Sequence, residues 1–239
     1  MRLTQLIRHW RAERLTKRGY GFTRSGAFDQ ALLVALELRK LKYTSAFELE
    51  ALAHAGQGDL DRAIAVLKDG VLTAPTTWIN WQLLGNYLSD QGLYEEAEGA
   101  YQHALACPDA WTSSIHLNRA ITAERREDYS GALDVLSKVD QLQPEMMVLA
   151  VGVRVRALWK SGQLSEAEKV GAAFLQTDPE LGDRRAWGLL AADVAKLRLE
   201  LGHDRGAIAT FVAQACREAR ECPEIVDLAN SLVNVDRRV

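Results

Sequence analysis

Cysteine is scarce in this chain of 239 residues. Cys107, Cys216 and Cys222 form an odd set, too small for a disulfide framework and suited to a reducing compartment, where they pack as small apolar fillers. Proline is also sparse, with five residues, and no Gly/Ser linker or low-complexity tract marks a domain boundary. Long apolar runs are missing: nothing approaches the ~20 residues of a membrane span. Arg8, His9, Arg11 and Arg14 break up the first twenty residues, which argues against a secretory signal, so the expected location is cytoplasmic. No stretch alternates with period two for long enough to build a sheet. The five histidines, His9, His54, His103, His116 and His203, are scattered without metal-ligand pairing, and Cys216 and Cys222 are six apart, which is no zinc spacing. Gly19-Tyr20-Gly21 and Gly56-Gln57-Gly58 lack the strand and the downstream glycine and lysine of a phosphate loop. Neither a Gly-x-Ser-x-Gly elbow nor a His-Glu-x-x-His helix occurs. The sequence nominates no catalytic group, no metal and no cofactor, so the expectation is a protein that is not an enzyme.

What the chain does have is a period. Ala31, Ala63, Ala97, Ala132, Ala167 and Ala207 recur at gaps of 32, 34, 35, 35 and 40 residues, five of them five residues after a glycine. Spacing near 34 marks stacked helical hairpins. Gly26, Gly58, Gly92, Gly162 and Gly202 each end a helical pattern where a left-handed backbone is needed, and only Glu127 departs. Each alanine then falls in the first turn of the next helix, where a bulky side chain would push two helices apart. Pro75, Pro108, Pro144 and Pro179 fall at repeat ends, and Pro223 opens a terminal helix. Apolar residues at three- and four-residue spacing predict helices at about 3–21, 27–41, 44–57, 60–73, 78–91, 94–107, 112–126, 129–142, 145–161, 164–177, 184–202, 204–221 and 223–236.

Residues 78–108 are the most complete copy, with Trp81, Leu84, Gly85, Leu88, Gly92, Ala97, Tyr101, Ala104 and Pro108. That set resembles the tetratricopeptide repeat (TPR), and the resemblance extends over about residues 12–221. It implies an all-α, right-handed superhelical solenoid of about six hairpins with a C-terminal capping helix. The expected organisation is one domain over 1–239: a basic hairpin at 1–43, repeats at 44–221, and a cap and tail at 222–239.

Charge is unevenly placed. Residues 1–43 hold ten lysines and arginines against Glu13, Asp29 and Glu37, a net +7, which leaves −10 for the remainder of a chain whose total is −3. Leu3, Leu6, Ile7 and Trp10 line the same first helix as an apolar stripe, expected to pack on the second hairpin with the arginines in solvent. Protein docking is an alternative role for this helix, and contact with nucleic acid or a membrane surface is another.

In a TPR-like stack the first helix of each hairpin lines the concave side, which implies a peptide groove. Aligning the copies places Tyr20, Leu52, Gln82, Asn86, Asp90, Leu117, Ile121, Arg125, Arg156, Lys160 and Lys196 on it. An amide, an apolar shelf and then basic groups suit a peptide with acidic groups or a C-terminal carboxylate. Asn86 and Asn118 match the asparagines of TPR carboxylate clamps, but Gln82, Leu149 and Val153 stand where the basic residues belong. The functional expectation is a scaffold, adaptor or chaperone for another protein; the alternative is a nucleic-acid regulator docking through the basic first helix. Arg154 stands among apolar neighbours and is expected either to snorkel or to pair with an acid. Core packing is expected for most of the tryptophans, and self-association through the tail at 233–239 is a further possibility.

Overall fold

The computed structural model describes residues 3–176 and 183–236, with side chains placed for 5–176 and 183–232. Pro179, Gly182, the end of the expected helix 164–177, the side chain of Leu3 and those of the tail at 233–239 lie outside the described residues.

Among the described residues the chain forms thirteen α-helices and no strand: α1 Leu3–Arg24, α2 Phe28–Lys40, α3 Ser45–Gly56, α4 Leu60–Thr73, α5 Trp78–Asp90, α6 Tyr94–Ala106, α7 Thr112–Arg125, α8 Tyr129–Leu136, α9 Pro144–Lys160, α10 Leu164–Leu175, α11 Arg184–Glu200, α12 Arg205–Glu218 and α13 Pro223–Asp236. Every expected helix is present. The clearest difference is α8, which stops at Leu136 instead of running to 142. Ser137 Oγ donates to the Asp134 carbonyl at 2.6 Å, and Gln143 is extended (ψ 149°) because the following Pro144 excludes helical backbone before it.

The helices divide into two compact units, Met1–Ile115 and His116–Val239, with the boundary inside α7. In the first unit each helix packs on the next from α1 to α6, and α1, α3 and α5 also lie side by side. In the second, α8 to α13 pack in the same sequential way, with α9 beside α11 and α11 beside α13. Each unit is therefore built of helical hairpins whose first helices are neighbours.

Turn chemistry follows the expected rule. Gly26, Gly58, Gly92, Gly162 and Gly202 have φ between +74° and +84°. At Gly92 the following Leu93 N–H reaches back to the Leu88 carbonyl at 2.9 Å. Glu127 adopts the same left-handed backbone (φ +64°), and Asp128 N–H bonds the Ala123 carbonyl at 2.9 Å. The fourth turn is thus the same turn made by a residue that pays for its Cβ.

Five of the six alanines do what their spacing implied. Ala31, Ala63, Ala97, Ala132 and Ala167 are fully buried, each four residues after an N-cap. Ala207 is a correction: it is exposed. His203 adds one residue between Gly202 and the cap, Asp204, whose carboxylate accepts from Ala207 N–H at 2.8 Å. The buried position four residues after this cap is Ile208, 1% exposed.

Four variants in urea denaturation test these assignments. Ala97→Leu should cost about 1–3 kcal/mol by overpacking and Ile208→Ala about 2–5 kcal/mol, whereas Ala207→Leu should stay within about 0.5 kcal/mol. Glu127→Gly should raise stability by about 1 kcal/mol by relieving the left-handed strain.

Candidate functional site

Polar side chains of neighbouring first helices meet each other in both units. In the first, Thr16 Oγ1 and Ser45 Oγ are 3.0 Å apart and the Tyr20 hydroxyl donates to Glu48 Oε1, joining α1 to α3. Glu48 is 5% exposed. Burial pushes its carboxyl above the usual range, and the Tyr20 hydrogen bond only partly offsets this. Tyr20 is raised in turn, first by burial and then by the Glu48 charge. Tyr87, buried on α5, is pushed up to about 12 by burial, with Asp90 and Glu48 adding to it. Leu52 lies one turn beyond Glu48 and is half-buried. Gln82 is buried and donates to Ser114 Oγ at 3.0 Å, while Asn86 Oδ1 accepts from the Tyr101 hydroxyl at 3.0 Å. Asp90 is exposed at the end of α5.

Arg156 organises the second unit. Its guanidinium grips Glu124 of α7 with both nitrogens of one edge, Nη2 to Oε2 at 3.0 Å, and its Nη1 lies 3.5 Å from Asp193 Oδ2 on α11. Burial disfavours the charged guanidinium, but Glu124 and then Asp193 outweigh it and hold its pKa above the ordinary value. Burial raises Asp193, against the attraction of Arg156 and Lys196. One turn along α9, Trp159 Nε1 donates to Glu200 Oε2 at 2.7 Å and Lys160 Nζ stands 5.7 Å from the Trp159 ring centroid. Lys160, Lys196 and Arg125 are exposed.

The expected apolar-plus-basic trough is corrected at one point, Leu117, which is 1% exposed, inside the core, and presents nothing to a ligand. Ile121 is half-buried against Ala120, Ala123, Ala132, Val153 and Ala157. Arg156 is held by two carboxylates of its own unit. Asn118 is half-buried, and its carbonyl accepts from Thr122 Oγ1 at 3.0 Å. The structure therefore uses Tyr20, Gln82, Asn86 and Arg156 to join elements of their own unit. The acidic partners Glu48, Glu124 and Asp193 went unrecognised in the sequence. Glu48 had a signal, since it precedes Gln82 by 34 residues, one full period.

Arg154 is exposed, between the buried Val153 and Val155, which feed different clusters. It edges a pocket of about 510 Å³ walled by Leu136, Val139, Leu142, Met147 and Val151, opened by the early end of α8. Among the tryptophans, Trp187 is buried and Trp10 is 68% exposed. The stripe on α1 is a further correction: Leu6 and Ile7 are also exposed, and α1 packs through Ala12, Leu15 and Tyr20 instead. Among the described residues no cluster of His, Cys, Asp and Glu has the arrangement of a metal site, and no helix is long and apolar enough to cross a membrane.

No protein-family model and no curated protein matches the sequence. Solved structures do match. PilW, a widely conserved type IV pilus biogenesis factor, aligns with a TM-score of 0.74 at 18% identity, over 91% of this chain and 97% of its own. A tetratricopeptide repeat protein from Parabacteroides merdae aligns at 0.66 and 14% identity, over 93% and 84%. A chain of the APC/C hetero-tetramer Cut9–Hcn1 aligns at 0.70 and 13% identity over 92% of this chain, which spans only 42% of that longer one. The fold is that of the tetratricopeptide repeat.

The electrostatics of Glu48 make a signed prediction. Because its carboxyl is raised in the folded state, ionisation opposes folding: the cost is absent below the ordinary carboxylate range and fully present above the raised value. Glu48→Gln should therefore gain in Tm relative to the parent as pH rises through that window and differ least under acid. A Tm difference that is flat with pH contradicts the assignment.

Proposed function

We propose that the chain is a non-catalytic protein-binding scaffold, adaptor or chaperone of the cytoplasm, and that the first-helix face of its second unit receives an acidic or C-terminal segment of a partner. The arrangement of α9 and α11 carries this reading. Arg156–Asp193 and Trp159–Glu200 tie the two helices together, and the exposed ammonium groups of Lys160 and Lys196 flank those pairs. The pinned groups keep the face rigid, so little side-chain entropy remains to be lost on binding there. The lysines supply attraction for carboxylates, and the Trp159 ring offers an apolar surface beside them. On this reading Arg156 positions the face and does not itself hold the ligand, while Leu52 and Asp90 occupy the corresponding face of the first unit.

Micromolar affinity, about −8 kcal/mol, is the expected strength for such reversible contact. The test is fluorescence anisotropy with labelled acidic peptides bearing free or amidated C-termini. Lys160→Ala with Lys196→Ala should weaken binding at least about tenfold, close to 1.4 kcal/mol, with unchanged helical circular dichroism. Binding that the double variant leaves intact, or no binding by any acidic peptide, overturns the reading.

A further inference from the structure

The outward side of α1 combines exposed apolar and exposed basic residues along one helix. At 3.6 residues per turn, Ala12, Leu15 and Gly19 fall on one side of α1, and that side is packed: Ala12 is fully buried, and a Cβ on Gly19 would meet Leu49 Cδ1 at 2.5 Å. Leu6, Ile7 and Trp10 project from the opposite side, where they are 39%, 61% and 68% exposed. One and two turns further on, the exposed Arg14 and Lys17 continue the same outward side, with Arg11 and Arg18 along its edge. Glu13 is the only acid in the helix, and His9 stands 3.3 Å from its carboxylate.

We infer that this face docks on an anionic lipid bilayer surface, with Leu6, Ile7 and Trp10 entering the headgroup boundary and the basic residues meeting lipid phosphates. Three features favour that occupant. The apolar side chains stand on a helix ridge facing away from the core, a shape that inserts into a soft interface without needing a matching pocket. Tryptophan, with an apolar ring and a polar N–H, suits such a boundary. Apolar insertion together with a basic patch supplies the two signals that surface anchoring requires.

Charge argues against the other occupants. A second copy paired through the same face would double its positive charge at the contact, with Glu13 the only acid of α1 to offset the exposed Arg14 and Lys17 of each copy. Nucleic acid would use the basic groups but leaves the apolar residues without a role. The net −10 carried after residue 43 disfavours docking on an anionic surface by the rest of the chain and favours approach by this end.

Flotation of the full chain with vesicles tests the inference, using phosphatidylcholine alone and phosphatidylcholine mixed with phosphatidylglycerol. The chain should float with the anionic vesicles at least about tenfold more than with the zwitterionic ones. Ile7→Ser with Trp10→Ser should abolish that flotation, and Arg14→Gln with Lys17→Gln should lower it several-fold. All four positions are exposed, so circular dichroism should not change. Absence of flotation overturns the inference. So does flotation that Ile7→Ser with Trp10→Ser leaves unchanged, which marks plain phosphate contact of the kind nucleic acid would share. Light scattering provides a third arm: Trp10-dependent self-association without vesicle binding would assign the face to a second copy instead. Loss of peptide binding on replacing Lys160 and Lys196 leaves every one of these outcomes separate.

Discussion

Close approach of two helices just after each turn is the constraint on which the rest of this structure depends. Where a helix begins, the residue four positions after its N-cap points into its partner, and Ala31, Ala63, Ala97, Ala132 and Ala167 fill that place with the smallest side chain that still favours helix. Glycine elsewhere serves the same end: a Cβ on Gly85 would lie 2.6 Å from the Tyr101 ring. Tight hairpins bring their first helices alongside one another, and the polar contacts between those helices follow. Tyr20–Glu48 and Arg156–Asp193 exist because α1 lies against α3 and α9 against α11.

The hairpin pattern could be read in the sequence because it is written in residues with strong local meaning. A glycine at a left-handed turn and an alanine at a fixed distance beyond it are one-residue signals, repeated. Ala207 shows the limit of such signals. The distance from Gly202 was right, but His203 lengthens the turn, and burial follows the cap, not the glycine. The early end of α8 has a similar cause, since Pro144 acts on the residue before it.

Much less of the candidate site could be read. Alignment to a repeat identifies which helix face a residue belongs to, yet not which partner reaches it from the next helix. Arg156 was visible as a basic residue on that face; Glu124 and Asp193, 32 residues before and 37 after it, were not visible as its partners. Leu117 occupies a face position by alignment and is nevertheless in the core. On α1 the helical spacing of Leu6, Ile7 and Trp10 identified a stripe correctly, but a stripe carries no information about its direction. That direction is set by Ala12, Leu15 and Gly19, small or apolar residues that the basic composition of the helix obscured.

The central claim is that carboxylates within the second unit already satisfy the half-buried Arg156 on its face, leaving recognition to the surface lysines. The most direct measurement is NMR titration of the chain with an acidic peptide, following the Arg156 Nε–H and the backbone amides. The account predicts shifts concentrated around Lys160 and Lys196 on α9 and α11, with the Arg156 Nε–H resonance persisting in its paired position. Release of that resonance on binding, or shifts confined to other helices, would contradict it.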